Sequence, residues 1–73
     1  SNAVFPNPFS NKIQLNLHEN SIVKVYNSLG IILDEYKFDK GEQQFNTETL
    51  VNGIYILSIQ SKSGTEYIKL LKN

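Results

Sequence analysis

The stretch Ile54-Tyr55-Ile56-Leu57-Ser58-Ile59-Gln60, preceded by Asn52-Gly53, decides the fold of this chain. It is an almost unbroken apolar run, rich in the β-branched and aromatic side chains that favour strands. A run of this length bounded by turn residues is typical of a strand buried at the centre of a sheet. We therefore predict a central strand from Ile54 to Gln60, with its partner strands in the neighbouring segments.

After this run, Ser61–Gly64 has the composition of a hairpin turn. It leads into a last predicted strand from Glu66 to Lys72, for which we expect Tyr67, Ile68 and Leu71 in the core. Before the run, further strands are predicted at 13–17, 22–27, 31–38 and 42–46, separated by polar turns. Thr47–Leu50 is too short for more than one helical turn.

The third predicted strand starts after the turn Asn27-Ser28-Leu29-Gly30. Asparagine at its start and glycine at its end are typical of a turn that closes a hairpin. We expect Ile31 and Leu33 to point inward, with Ile32 a third candidate. At the other end of the chain, the prolines make Val4–Phe9 an extended lead-in or edge segment, because each proline fixes φ and removes a donor.

About six to seven short strands with regular turn signals predict an all-β fold, a small antiparallel immunoglobulin-like β-sandwich. Seventy-three residues lie near the lower size limit for a self-sufficient core, and there is no cysteine for a disulfide. We therefore expect nearly every apolar residue to be needed inside. Ser1-Asn2-Ala3 is interpreted as a scar of tag removal, and residues 4–73 as the domain.

The charge pattern argues against a nucleic-acid partner, and the hydropathy argues against a membrane span. Seven lysines balance seven acidic residues, there is no arginine, and the two signs are interspersed. Since the sequence has no basic stripe to neutralise phosphates, we expect no nucleic-acid partner. No apolar run approaches the roughly 18 residues that span a bilayer, so we predict no membrane span.

Candidate chemical sites are weak. His18 is the one histidine, and a Ser/His/Asp arrangement would need it beside a serine and either Asp34 or Asp39. The carboxylates of Asp34, Glu35 and Asp39 lack the alternate spacing and the glycine turn of a calcium loop. With one histidine and no cysteine, no zinc site of the usual kind is expected. We predict no catalytic, cofactor-binding or metal-binding residue and no enzymatic activity.

The tyrosines leave an alternative open. Tyr26, Tyr36, Tyr55 and Tyr67 would suit an aromatic platform for sugar, which would make the chain an accessory adhesion or carbohydrate-binding β-sandwich. In a small sandwich, such rings more often cover the core and keep the hydroxyl in water. A third interpretation is a spacer or stalk cap.

Four phrases in fixed order carry a resemblance to a known family. Each has a structural explanation of its own; Gly30 and Gly53, for example, suit the positive φ of turns. Their order and spacing from Val4 to Asn73 nevertheless resemble the C-terminal sorting domain of bacterial type IX (Por) secretion. The phrases are Pro6-Asn7-Pro8, Val23-Lys24-Val25-Tyr26-Asn27-Ser28-Leu29-Gly30, Leu50-Val51-Asn52-Gly53-Ile54-Tyr55 and Ile68-Lys69-Leu70-Leu71-Lys72-Asn73.

The resemblance implies a C-terminal secretion signal at the end of a larger exported protein, with its cargo attached upstream. Such a domain would pass through the periplasm and be recognised by the type IX outer-membrane translocon, which directs the cargo to the cell surface or the medium. In many members a surface cysteine protease of sortase type then removes the domain by a cut upstream of the sandwich. The positions that match the family phrases and tail are Pro6, Asn7, Pro8, Tyr26, Asn27, Gly30, Leu50, Gly53, Tyr55, Lys69 and Lys72.

The last strand is the expected recognition surface. As a sheet edge, Tyr67–Asn73 would offer unpaired N–H and C=O groups for β-augmentation. We expect Lys69 and Lys72 to be the charged groups that the translocon contacts. The extra Leu70-Leu71 step before Lys72 leaves open which lysine has the family role.

Overall fold

The computed structural model describes residues 2–73, which form seven β-strands. Each predicted strand from residue 13 onward is present, with small differences at its ends, and Thr47–Leu50 contains a turn and no helix. The strands are β1 (Ala3–Phe5), β2 (Lys12–Leu17), β3 (Ser21–Asn27), β4 (Ile32–Phe38), β5 (Gly41–Asn46), β6 (Gly53–Ser61) and β7 (Gly64–Lys72).

The strands form two antiparallel sheets with the orders β1-β2-β5 and β4-β3-β6-β7. As its apolar sequence predicts, β6 lies inside the larger sheet, between β3 and β7. β4 and β7 are the edges of that sheet. The prediction of a small all-β antiparallel sandwich is confirmed.

The core lies between the two sheets. Burial alternates along β2 and β3 because successive side chains of a strand point to opposite faces. In the central strand β6, Leu57, Ser58 and Ile59 are all buried. Phe45 of β5 stacks on Tyr36 of β4 with ring centroids 4.6 Å apart, which joins the sheets on that side. The buried core comprises Phe9, Ile13, Leu15, Leu17, Val23, Val25, Phe45, Tyr55, Leu57, Ile59 and Leu70.

The start of β4 differs from the sequence prediction. Ile31, Ile32 and Leu33 are 55%, 50% and 40% exposed, so the prediction that they point inward is wrong. The β4 side chains that pack against the core are Tyr36 and Phe38, further along the strand.

A β-bulge explains this difference. Val25 pairs with Asp34, whereas the next residue, Tyr26, pairs with Ile32, so Leu33 is an extra residue on β4. An extra residue shifts the alternation of side chains by one position. Ile32 therefore shares the outer face of the sheet with Tyr26.

β7 also differs in which side chains are buried. Tyr67 and Leu71, expected in the core, are exposed, whereas Leu70 and Lys72 are buried. Ile68 packs against the core, as expected. Alternation accounts for the pattern, because residues 68, 70 and 72 share one face of a strand.

The expectation that nearly every apolar residue is needed inside is wrong as well. Large apolar side chains remain exposed at Phe5, Leu29, Ile31, Ile32, Leu33, Val51, Ile54, Tyr67 and Leu71.

The segment interpreted as a scar contacts the sandwich. Ser1 lies outside the described residues. Ala3 pairs with Asn16 in the register of β1 and β2. Asn2 Nδ2 donates a hydrogen bond to Glu66 Oε1 at 3.1 Å, and Asn2 Oδ1 accepts one from the His18 N–H at 2.8 Å.

Candidate functional site

The family phrases meet at one end of the sandwich. Asn27, at the end of β3, pairs with Tyr55, and Gly53, at the start of β6, pairs with Lys72. Asn7 contacts the same end of β7. We call this end, formed by residues 6–11, 27–31, 47–53 and 72–73, the motif end. The opposite end, formed by residues 18–20, 39–40 and 62–63, is called the turn end.

Pro6-Asn7-Pro8 covers part of the free edge of β7. Asn7 Nδ2 donates to the Lys69 carbonyl at 3.4 Å, and Asn7 Oδ1 accepts from the Leu71 N–H at 3.1 Å. The bonds Phe5–Pro6 and Asn7–Pro8 are both cis. The Asn7 amide acts like a short piece of neighbouring strand, because it presents one donor and one acceptor to the edge.

Phe9 continues this cover with its backbone. Its N–H donates to the Leu71 carbonyl at 2.9 Å, and its carbonyl accepts from the Asn73 N–H at 3.0 Å. The buried ring meets the Tyr55 ring edge to face, with centroids 6.0 Å apart. Phe9 is not among the site residues predicted from the sequence; the available signal is an aromatic residue placed directly after Pro-Asn-Pro and before a polar turn.

These contacts limit the expected free edge of β7. The edge is occupied from the Lys69 carbonyl to Asn73, so the prediction that Tyr67–Asn73 is open along its whole length is wrong. Within residues 2–73, no strand pairs with this edge between Gly64 and Ile68. That part remains available.

Lys72 is an internal residue. It is 8% exposed, and its Nζ donates to the Leu50 carbonyl at 2.5 Å. Alternation from the buried Leu70 turns Lys72 inward. The expectation that both terminal lysines are surface charges is therefore wrong for Lys72, whereas Lys69 is exposed.

The segment before β6 is folded onto Tyr55. The buried Tyr55 donates its hydroxyl to the Val51 carbonyl, four residues earlier. Gly53 lies between them with a φ of 149°, a backbone conformation that residues with a side chain rarely adopt. The half-buried Leu50 packs against the core while its carbonyl accepts from Lys72. The phrase from Leu50 to Tyr55 thus builds a compact turn.

Thr47 adds a second buried connection at the motif end. Its side chain is fully buried, and Oγ1 donates to the Ser10 carbonyl at 2.8 Å. Its backbone N–H donates to the Asn11 carbonyl at 2.9 Å, and its carbonyl accepts from the Leu50 N–H at 3.1 Å. Thr47 is therefore a structural residue of the motif end, and it is not among the site residues predicted from the sequence.

The hairpin between β3 and β4 is organised by Asn27. Its Oδ1 accepts from the N–H groups of Leu29, at 2.9 Å, and Ile31, at 3.1 Å. Gly30 has φ of 82°, as expected for the turn. The predicted turn is confirmed, and Asn27 and Gly30 both build it. Tyr26, the residue before it, is half-buried on the outer face of the sheet.

The tyrosines do not form a common platform. Tyr55 is buried, and Tyr36 stacks on Phe45 between the sheets, where burial raises the pKa of its hydroxyl. Tyr26 and Tyr67 lie on the outer face of the larger sheet, on β3 and β7 respectively. The interpretation of one aromatic sugar-binding surface is therefore wrong.

The histidine, serine and aspartate side chains of the hydrolase arrangement do not line one common hollow around His18. His18 shares a surface hollow with Ser61 and Ser63, but neither Asp34 nor Asp39 lines it. Among residues 2–73, no group of three or more His, Cys, Asp or Glu residues is placed to hold a metal ion. In the same part of the chain, no helix has the length and apolar character needed to cross a membrane.

Nearly all the exposed apolar residues belong to one region. Apart from Phe5 and the bulge residue Leu33, each lies either at the motif end or on the outer face of the larger sheet. On that face, near the motif end, apolar side chains from four neighbouring strands are adjacent in register. We call this set the apolar outer patch; it consists of Tyr26, Ile32, Ile54, Ile56 and Leu71.

The site thus consists of a closed core, a dense cluster of turn contacts at one end and an exposed apolar patch beside it. A family model for the secretion system C-terminal sorting domain matches residues 3–73. The chain belongs to this family, the C-terminal sorting signals of type IX secretion. It is therefore cargo of the type IX machinery, destined for the cell surface or the medium. Comparisons with curated proteins and with solved structures gave no match.

Proposed function

We propose that this domain is recognised in the periplasm by the type IX outer-membrane translocon, and that it carries out no catalysis of its own. The observation that supports this is the convergence of the family phrases at the motif end. Phrases that are far apart in the sequence there contact one another, as Asn7 does with Leu71 and Leu50 with Lys72. A signal that must be read on a folded domain needs such a fixed surface.

Most matching positions would serve sorting by holding the motif end together. Asn7 covers the β7 edge, Asn27 builds the hairpin, and Tyr55 and Lys72 satisfy backbone carbonyls. Pro6, Pro8, Gly30, Gly53 and Leu50 shape the same loops. Substituting these residues would impair export indirectly, through loss of structure.

The exposed part of β7 would make the direct contact. Lys69 and Tyr67 point outward, whereas Lys72 does not. We therefore propose Lys69 as the terminal lysine that a partner meets. Once the cargo is outside, a surface protease of sortase type would remove the domain by cutting upstream of the sandwich.

The test is to fuse the 73-residue chain behind a signal peptide and a fluorescent reporter, in a type IX bacterium and in its translocon mutant. We expect the reporter at the surface or in the medium of the parent strain, and in the periplasm of the mutant. Retention of a folded fusion in both strains would contradict the proposal. Equal export after replacement of the domain by an unrelated β-sandwich would favour the spacer interpretation.

A further inference from the structure

The apolar outer patch occupies one half of the outer face of the larger sheet. Strand register places Tyr26 between Ile32 and Ile56, and places Ile54 directly beside Leu71. Ile32, Ile54 and Leu71 are exposed, and the other two side chains are half-buried by these neighbours. Contiguous exposed apolar side chains on a small domain usually mark a contact with another molecule.

The outer face of the smaller sheet provides an internal reference. Its side chains are almost entirely polar; Phe5, at the edge, is the large apolar exception. Both faces belong to the same small domain, and one of them is polar. The small size of the chain therefore does not by itself explain the apolar patch on the other face. The polar side chains of this reference face are Lys12, Gln14, Asn16, Glu42, Gln44 and Asn46.

Charge next to the patch identifies the kind of partner. Lys69 pairs with Ile56 in the register and makes no ion pair with any residue from 2 to 73. Lys24, two residues before Tyr26 on β3, lies on the same face and pairs with Glu35, which is the acidic residue on this face. The charge left uncompensated at the border of the patch is positive. A matching surface would be apolar with carboxylates at its rim.

Resting on the proposed function, we propose that the apolar outer patch and Lys69 form the surface by which this sorting domain docks on a protein of the export machinery. The partner's contact surface would be apolar and rimmed by carboxylate groups. A standard interface covers about 800 Å² on each partner, roughly a sixth of the 4681 Å² surface of this domain. The patch lies next to the motif end, where the loop residues Leu29 and Val51 are also exposed.

Two other ways of covering the patch fit less well. Two copies packed patch to patch would bring two Lys69 side chains into one interface. The one acidic residue on this face, Glu35, already lies opposite Lys24 and so does not offset their charge. Addition of a strand is limited on β7 by the cover from Asn7 and Phe9. Docking on the outer face of the larger sheet does not require the edge of β4 or the edge of β7.

The experiment uses the reporter fusion of the full chain and two matched pairs of variants. Ile54→Thr with Leu71→Thr makes the patch polar with a strand-favouring residue, and Phe5→Thr with Gln14→Thr is the control on the other sheet. Lys69→Glu reverses the charge at the patch, and Lys12→Glu makes the same change on the reference face. We expect the first variant to lower the exported fraction about tenfold and Lys69→Glu about threefold. Both controls should match the wild type.

The outcomes separate this inference from the proposed function. A wild-type fusion retained in both strains overturns the two together, whereas export of the wild type and of all four variants overturns the inference alone. Thermal unfolding of each purified variant establishes that it is folded; Lys69→Glu, at an exposed position, remains decisive if the threonine variant unfolds. A patch-dependent dimer by size-exclusion chromatography, or patch-dependent flotation with anionic lipid vesicles, would assign the surface to another occupant and overturn the proposal.

Discussion

The motif end and the turn end of the sandwich are both stabilised by hydrogen bonds between distant residues, but the two sets of bonds differ in burial. At the motif end, Lys72 donates to the Leu50 carbonyl, and Thr47 donates to the Ser10 carbonyl. Both donor side chains are buried. A buried donor or acceptor that loses its partner costs much more than an exposed one, because water does not replace the bond.

The turn end is polar and open to water. Asn20 Oδ1 accepts from the Lys40 N–H at 2.8 Å, and Ser61 Oγ donates to Glu19 Oε1 at 3.0 Å. Lys62 Nζ lies 4.0 Å from Glu19 Oε2, and the Lys62 side chain is almost fully exposed. Water replaces such contacts readily, and exposed ion pairs contribute little. The family phrases therefore meet at the end of the sandwich where long-range hydrogen bonds come from buried donors, and we expect the largest structural effects for substitutions of those donors.

The largest expected effect is at Lys72. Lys72→Glu introduces a carboxylate that has no hydrogen to donate to the Leu50 carbonyl, and it places an unpaired charge in a buried site. We expect a loss of about 3 kcal/mol in the free energy of unfolding, measured by urea denaturation. This is a large fraction of the stability of a domain of this size.

Lys69→Glu is the matched control, three residues earlier on the same strand and exposed. It should change the free energy of unfolding by no more than about 0.5 kcal/mol. Lys72→Met, which keeps an unbranched stem and loses the donor, should fall between them at about 1–2 kcal/mol. Equal stability of the Lys72→Glu and Lys69→Glu variants would contradict the internal role of Lys72.

A smaller effect is expected at the cover of the β7 edge. Asn7→Ala removes both side-chain contacts with Lys69 and Leu71, at a site that is partly open to water. We expect a loss of about 1 kcal/mol and faster hydrogen exchange of the Leu71 amide. Asn16→Ala, on the exposed reference face, is the control. Unchanged exchange at Leu71 in the Asn7→Ala variant would show that the amide does not protect this edge.

The strands themselves could be predicted from the sequence because their signals are local. The apolar run from Ile54 to Gln60 and the alternation at Ile13, Leu15 and Leu17 need no knowledge of the partner strands. Turn residues such as Asn27 and Gly30 likewise act within a few positions. Element type and order followed from these signals.

The errors concern features that depend on pairing. The outward position of Ile32 results from a bulge against β3, which no pattern within β4 indicates. The edge contact of Asn7 requires the chain to return beside β7. Lys72 differs from these two, because strict alternation from Ile68 through Leu70 would have placed it inward. The prediction of Lys72 as a contact for the translocon rests on the terminal position of the strand, and position in the chain does not determine the face of a strand on which a side chain lies.

The smallest expected effect is a pH dependence of stability at the turn end. Hydrogen bonds from Ser63 and Ser61 hold the pKa of Glu19 below the ordinary glutamate value of about 4.3. Because the folded pKa is the lower one, the contribution of Glu19 is fully present above the unfolded pKa and is lost as pH falls through the folded one. Glu19→Gln should therefore flatten the fall in stability on the acid side of about pH 4.3. The measurement is a series of urea denaturations at several pH values, and Glu42→Gln, on the reference face, is the control.

A wild-type slope that persists in Glu19→Gln would assign the acid sensitivity to another carboxylate. If removal of the Glu19 contacts instead unfolded the domain, the turn end would be as dependent on single contacts as the motif end, and the contrast between them would not hold.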